Sequence, residues 1–451
     1  MVHNNYLRFI LLTLLVSVSS HVNAGKTQER FSIMGLGDSI TEGSQEFSSY
    51  LYSLWEELFS KGYDFDFIGP RKSECRIGEL HHCGFSGHTV EFLNEHIDSI
   101  YHLYPADIVL LHAGHNHFSA EKPVSGMIKA YKSIIAKIHH IKPGATVFLA
   151  MVTPSGKLPK YSYIPELNRA IKKLVSSYHS SKVVLVDMAT GHDYRTMTIA
   201  DRVHPNKLGR ERMAHIWATA IEKRFKAQHP AFRPESICYK TVGADSLSLY
   251  VFKAKGRKPH PTVVYYFAGG WKYGSPLQFF RECAWNAAHG ITSISVDYRI
   301  GYLYGTQAED AVEDGIDAID YIRGNAKKLG VDPSRIIAAG ASAGAVIAGK
   351  IPDDRLKARI LYYPVVDSLQ SEVSQIHRPV LFMIGTRDSF TPIDKTKAFL
   401  LRLCENNTYC DYHIFEGLPH PLFRYREPLD AVYYRIRSLT DDFLGKMFSS
   451  Q

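Results

Sequence analysis

Gly340-Ala341-Ser342-Ala343-Gly344 decides the fold of the second half of this chain. It follows the apolar run Arg335 to Ala339 and opens a run of small residues suited to a closely packed helix. Between a strand and a helix, Gly-x-Ser-x-Gly forms a nucleophile elbow, in which the glycines permit a strained turn that exposes the serine. The pentapeptide alone arises by chance in unrelated chains, so its surroundings carry the reading. Outward from it, Ser246 to Phe252, Thr262 to Phe267, Ile291 to Tyr298, Ala358 to Tyr363, Pro379 to Ile384 and Tyr412 to Phe415 have strand character. Their alternation with amphipathic stretches predicts an α/β sheet flanked by helices. Asp388 follows the Pro379 to Ile384 run and His420 the Tyr412 to Phe415 run, which gives the chain order Ser342, Asp388, His420. Asp367 and His413 fit less well, since Asp367 follows the preceding strand and His413 lies inside one.

The first half has a different signature. Ile33 to Leu36, Ile108 to His112, Thr146 to Val152 and Val183 to Val186 read as strands, and Ser49 to Ser60, Met127 to His140 and Ile164 to Tyr178 as helices. Gly37-Asp38-Ser39-Ile40-Thr41 follows the first strand, which sets Ser39 at the carboxyl edge of a sheet, where open α/β folds bind ligands. A serine there needs a base. Asp201-Arg202-Val203-His204-Pro205-Asn206 sets a carboxylate three residues before an imidazole, close enough in a turn for Asp201 to orient His204. Prolines and polar residues around Ala227 to Pro234 mark a short linker. The expected division is residues 1–24 as a signal peptide, 25–226 as one α/β domain, 227–241 as linker and 242–451 as a second α/β domain. The motifs of the two halves differ, so the chain is not a duplicated repeat.

With these residues in view, the first half resembles the SGNH hydrolase family, also called GDSL esterases. Gly84-Phe85-Ser86-Gly87-His88-Thr89 and Gly114-His115-Asn116-His117 match that family's second and third blocks. The resemblance implies a flavodoxin-like α/β/α sandwich with Ser39, His204 and Asp201 as triad. It further implies an oxyanion held by the Ser39 and Gly87 amides and the Asn116 side chain. His117 departs from the usual Asp of the third block, which implies a change in how the Asn116 loop is held or an added substrate contact. The second half, from about Val242 to Phe443, resembles carboxylesterases of the α/β-hydrolase fold. Phe267-Ala268-Gly269-Gly270-Trp271 is similar to their His-Gly-Gly-Gly-Trp oxyanion loop, with Phe267 and Ala268 departing from it. Only Gly269 and Gly270, with Ala343, carry over as oxyanion donors. Asp297-Tyr298-Arg299 looks like the segment that buttresses this loop. Too few residues separate Tyr363 from Pro379 for a helical lid, so a lidless, open site is expected.

Composition narrows the class. The chain has 451 residues, too many for one typical core. A charged start ending at Arg8, an apolar run from Phe9 to Val18 and small residues at Val22-Asn23-Ala24 read as a cleavable signal peptide, so export to the periplasm or beyond is expected. That run is short of the ~20 residues that span a bilayer. Export permits disulfides, and Cys75 with Cys83, Cys404 with Cys410 and Cys238 with Cys283 are the simplest pairs among many connectivities. None has zinc-site spacing, and His81, His82, His112 and His115 are read as surface or loop residues rather than metal ligands. The net charge of +8 is dispersed, which argues against nucleic acid as partner. No metal, nucleotide or redox cofactor is implied. Tandem domains of these two kinds in an exported protein look like bacterial enzymes that deacylate plant-wall polysaccharide. That resemblance implies an acylated polysaccharide such as xylan as partner, with acetyl and feruloyl esters as substrates. The alternatives are one catalytic domain beside a non-catalytic carbohydrate-binding one, or a serine peptidase in the second domain.

Overall fold

Each half of the chain builds its own mainly parallel sheet, because each alternates buried apolar strands with one-sided helices. The computed structural model describes residues 30–243, 245–256, 259–422 and 431–449. The signal-peptide reading falls outside these residues. The first sheet contains β1 (Phe31–Gly37), β2 (Phe65–Phe67), β3 (Arg71–Cys75), β4 (Gly78–Gly84), β5 (Ile108–His112), β6 (Thr146–Met151) and β7 (Val183–Asp187). Its order is β3-β4-β1-β5-β6-β7, with β2 also paired to β1. Every residue of β5 is buried, as expected of a central strand covered on both faces.

Around this sheet lie α1 (Ser39–Glu42), α2 (Tyr50–Ser60), α3 (Val90–Leu103), α4 (Val124–Ile141), α5 (Ile164–Ser176) and α6 (Lys207–Glu222). In α5 the buried residues are Ile164, Leu167, Asn168, Ile171 and Leu174, a helical stripe that packs on the sheet while Lys172 and Lys173 face solvent. Ser49 caps α2 by accepting from the Leu51 N–H at 3.2 Å. The β3–β4 hairpin has no counterpart in the strands predicted from sequence. β3 is polar and exposed along most of its length, so it carries no apolar signal.

The second sheet contains β8 (Glu235–Val242), β9 (Asp245–Phe252), β10 (His260–Tyr266), β11 (Thr292–Val296), β12 (Val331–Ala341), β13 (Ala358–Tyr362), β14 (Val380–Arg387) and β15 (Cys410–Pro419). Its order is β15-β14-β13-β12-β10-β11-β9-β8, with β8 and β9 antiparallel and the remaining strands parallel to one another. The chain leaves β10 for β11 on one side and returns with β12 on the other, the kind of switch point at which α/β sheets open a crevice. The linker reading is shortened here. Glu235 to Thr241, the end of the 227–241 segment, belongs to the edge strand β8, which is paired with β9 from Glu235 opposite Val251 to Val242 opposite Asp245. The two domains are in contact: the Phe232 ring lies between Phe59 of α2, to which it is tilted at a centroid distance of 5.7 Å, and Phe280, which it meets edge-on at 6.0 Å.

The cysteine expectations hold only in part. Cys404 and Cys410 are bridged, closing the end of one helix onto β15. Cys75 and Cys83 are buried thiols, not a disulfide. Cys75 lies opposite Gly78 at the hairpin turn, so Cys83 sits five residues farther along β4, roughly 17 Å away and beyond disulfide reach. Cys238 is exposed on β8 while Cys283 is buried in the helix Phe280–Ala288, and these two are not bridged either. Among the described residues no helix is long and apolar enough to cross a membrane.

Candidate active site

The residues singled out in the first domain meet because three neighbouring parallel strands end together. β4, β1 and β5 lie side by side, and their carboxyl ends lead into Gly87, Ser39 and Asn116. Asp38 caps α1, accepting from the Ile40 N–H at 3.1 Å, and so fixes the turn that presents Ser39. Ser39 Oγ lies 2.8 Å from His204 Nε2. His204 Nδ1 is hydrogen-bonded to the Asp201 carboxylate, whose other oxygen accepts the Val203 and His204 N–H groups at 2.9 and 3.0 Å. Burial would raise the Asp201 pKa, but His204 and these amides outweigh it and hold the carboxyl below its usual range. The Phe47 ring stacks on the His204 imidazole at 4.2 Å, a contact that nothing in the sequence announced.

The oxyanion candidates of this site are tied to one another. Asn116 and Gly87 both adopt left-handed backbone, φ 71° and 78°. The Asn116 side-chain amide donates to the His88 carbonyl at 3.0 Å, joining the third block to the second. Glu42 of α1 accepts the Ser86 N–H at 2.6 Å and pairs with Arg71 of β3. His117 is clamped between two carboxylates, with Nε2 2.9 Å from Glu91 of α3 and Nδ1 2.8 Å from Glu121. The departure at this position therefore anchors the Asn116 loop to α3.

The histidine readings need correction. His82, His112 and His115 are buried rather than superficial, because their strands and loops end beneath the crevice. Burial pushes His82 and His112 down to about 4, so both are neutral at ordinary pH. Asp38, also buried, lies 3.8 Å from His115, and the neighbouring His115 and His112 overcome the cost of burial to hold its carboxyl below the usual range. Among the described residues no cluster suits a metal ion.

In the second domain the same edge logic applies. β12 and β10 are parallel neighbours; one ends at Ser342 and the other at the loop Phe267 to Gly274. Ser342 has φ 51° and ψ −116°, the strained turn expected of an elbow. A side chain at Gly344 would place its Cβ 2.1 Å from the Tyr266 carbonyl oxygen, so only glycine fits where the helix Ala343–Lys350 crosses β10. Ser342 Oγ lies 2.8 Å from His420 Nε2, and His420 Nδ1 lies 2.6 Å from Asp388. The remaining Asp388 oxygen accepts the Phe390 and Thr391 N–H groups, both at 2.9 Å. Asp367 instead pairs with Lys395 and His413 with Asp411, which removes both from consideration.

Around Ser342 the oxyanion loop is held on several sides. Phe267, standing where carboxylesterases carry His, is buried and stacks on Tyr298 at 3.9 Å. The Tyr298 O–H donates to the Phe267 carbonyl at 2.6 Å, and the Gly301 N–H to the Trp271 carbonyl at 2.8 Å. Gln278 accepts the Ala268 N–H at 2.6 Å. The segment read as a buttress thus braces the loop. Between β13 and β14 lie two short 3₁₀ turns, Val366–Leu369 and Val373–Gln375, and no helical lid. The nucleophile is less open than expected, however: Ser342 is 8% and His420 6% exposed, whereas Ser39 is half-buried at the surface.

Residues 36–212 match the model of the GDSL-like lipase/acylhydrolase family, and residues 263–378 match that of the alpha/beta hydrolase fold. The chain is a GDSL/SGNH domain followed by an α/β-hydrolase domain. It is similar to a multidomain esterase of Ruminococcus flavefaciens, 28% identical over 243 residues that cover 48% of this chain and 31% of that protein. Carboxylesterase NlhH of Mycobacterium tuberculosis is 34% identical over 169 residues, covering 34% of this chain and 52% of the relative. Among solved structures, a thermophilic esterase of Thermogutta terrifontis with bound propionate is 28% identical, covers 48% of this chain and 94% of its own, and has a TM-score of 0.43. The aligned part of this GDSL/α/β-hydrolase tandem spans under a third of the Ruminococcus protein and about half of the mycobacterial one.

Proposed function

We propose that the protein is a serine esterase with two separate sites, exported and acting on acyl esters of a plant-wall polysaccharide such as xylan. One observation carries the catalytic part: two Ser-His-Asp hydrogen-bonded chains, each at the carboxyl edge of its own sheet and each with serine Oγ 2.8 Å from histidine Nε2. In each site the histidine takes the serine proton as Oγ attacks the ester carbonyl, and the aspartate holds the ring in the required tautomer. The tetrahedral oxyanion is met by the Ser39 and Gly87 amides and Asn116 in one site, and by Gly269, Gly270 and Ala343 in the other. Each such donor is worth roughly 3 kcal/mol in comparable sites. The protonated histidine then passes its proton to the leaving sugar hydroxyl, leaving an acyl-enzyme. Water, deprotonated by the same histidine, releases the acid and restores the serine.

The polysaccharide part rests on the pairing of these two domains and on the export signal read at the N-terminus. The half-buried setting of Ser39 at the surface suits a short acyl group displayed on a polymer. Ser39 is assigned acetyl esters and Ser342 acetyl or feruloyl esters. The test is Ser39→Ala and Ser342→Ala, singly and together, with acetate and ferulate release measured from acetylated, feruloylated arabinoxylan beside an aryl acetate. Loss of a different product in each single variant and of all activity in the double variant is the expected outcome. Activity that survives in the double variant would overturn the assignment.

A further inference from the structure

The β3–β4 hairpin belongs to the first domain, yet its turn ends in the second domain's oxyanion loop. Gly274, the last residue of that loop, donates its N–H to the Arg76 carbonyl at 2.8 Å. Arg76 Nε returns a hydrogen bond to the Gly274 carbonyl at 2.9 Å. The far end of the guanidinium pairs with Asp297, directly before Tyr298, and the group lies 5.9 Å from the Phe267 ring centroid. Arg76 and Asp297 side chains are only 15% and 10% exposed, so these charge-assisted bonds are poorly screened by water. Glu74 of β3 extends the contact by accepting from Lys272 at 3.0 Å and from Tyr273, while Tyr302 donates to the Glu74 carbonyl at 3.2 Å.

Arg76 thus grips both parts that shape the loop. Phe267 offers no polar side-chain group where similar enzymes have His, so polar anchorage must come from elsewhere, and Gln278 and Arg76 supply it. Gly274 allows no other residue: its φ is 119°, and a Cβ there would lie 2.3 Å from the Ala268 carbonyl oxygen. The loop folds back on itself at that point, and its outward N–H and C=O are the pair that Arg76 takes.

We propose that Arg76 is a positioning residue for the Ser342 site, supplied by the GDSL domain, and that this site is complete only with the first domain docked against it. The proposal rests on the reading of Ser342 as a nucleophile with Gly269 and Gly270 among its oxyanion donors. Arg76 touches no reacting atom; it holds the loop that carries the donors. Displacing such donors by a fraction of their hydrogen-bond length weakens stabilisation of the transition state more than that of the bound ester.

The experiment uses the full chain with Ser39→Ala, so that an aryl acetate reports Ser342 alone. Arg76→Met is combined with Asp297→Asn, which avoids leaving the Asp297 carboxylate without its cation, and folding is checked by thermal unfolding. The expected result is a fall in kcat of about tenfold or more with KM changed by less than about twofold. Arg76→Lys, which keeps the charge beside Asp297 but cannot span both partners, should recover part of the loss. The same double substitution in a Ser342→Ala chain should leave the Ser39 activity unchanged. A folded double variant with unaltered kcat at Ser342 overturns the proposal; if that variant does not fold, unaltered kcat in Arg76→Lys does so instead. Should Ser342→Ala added to Ser39→Ala leave hydrolysis intact, the reading of Ser342 falls, and this proposal with it.

Discussion

His117 Nε2 lies 2.9 Å from the Glu91 carboxylate, so the residue after Asn116 is pinned to α3 by an ion pair whenever its ring is protonated. The bond with Glu91 raises the His117 pKa, against the effect of burial and with help from Glu121. Glu91 is correspondingly held below its usual range, its burial outweighed by His117.

The sign of the pH dependence follows from that raised pKa. Stabilisation from His117 is fully present below the ordinary imidazole pKa of about 6.5 and is lost as pH rises through the raised folded value. Glu91 sets the acid limit, below the usual carboxylate range. Wild type should therefore unfold at higher temperature than His117→Asn near pH 6, and the gap should narrow at alkaline pH. Because the Glu91 side chain is 41% exposed, its contact with His117 is worth on the order of 0.5 kcal/mol. A gap independent of pH would show that the ion pair does not anchor this loop.

Gly344→Ala should cripple the second site without touching the first. The added methyl meets the Tyr266 and Phe267 carbonyl oxygens at 2.1 and 2.5 Å, both backbone and neither able to swing aside. Forcing the helix Ala343–Lys350 off β10 should cost about 3 kcal/mol. Labelling by a small serine-directed phosphonate should be lost at Ser342 and retained at Ser39. Normal labelling at Ser342 would contradict the close packing described for the elbow.

The two serines should also differ in the size of reagent they admit. Ser39 and His204 are half-buried, while Ser342 and His420 lie almost wholly below the surface. Enlarging the phosphonate's leaving group, with its methyl substituent kept, should slow labelling of Ser342 more than that of Ser39, as measured by mass spectrometry of the two peptides. Equal slowing would mean that the difference in exposure does not govern access.

Thiol counting checks the cysteine assignment. With only Cys404 and Cys410 bridged, the denatured, unreduced chain should show four thiols, and the native chain one fast-reacting thiol at the exposed Cys238. Burial pushes the Cys83 thiol up to about 12, which suppresses the reactive thiolate still further. Replacing Cys404 and Cys410 by serine should lower stability by about 2 kcal/mol, as expected for a short closed loop. Fewer than four thiols on denaturation would reveal a second disulfide.

Much of this protein is written in local chemistry. Glycine spacing around Ser342, the short turn from Asp201 to His204 and the periodicity of the strands and helices are properties of neighbouring residues, so two α/β domains and both Ser-His-Asp sets were legible before any coordinates. The β3–β4 hairpin was not, because Arg71 to Cys75 is polar and its pairing with β4 is non-local. Nor was the separation of Cys75 from Cys83, which depends on strand register rather than on closeness in sequence. Burial of His112 and His115 follows from where β5 ends beneath the crevice. Only the tertiary structure could decide the meeting of Arg76 with Gly274 and Asp297. Those contacts span about 200 residues of chain and exist only because the two sheets dock, bringing a hairpin turn of one domain against a loop of the other.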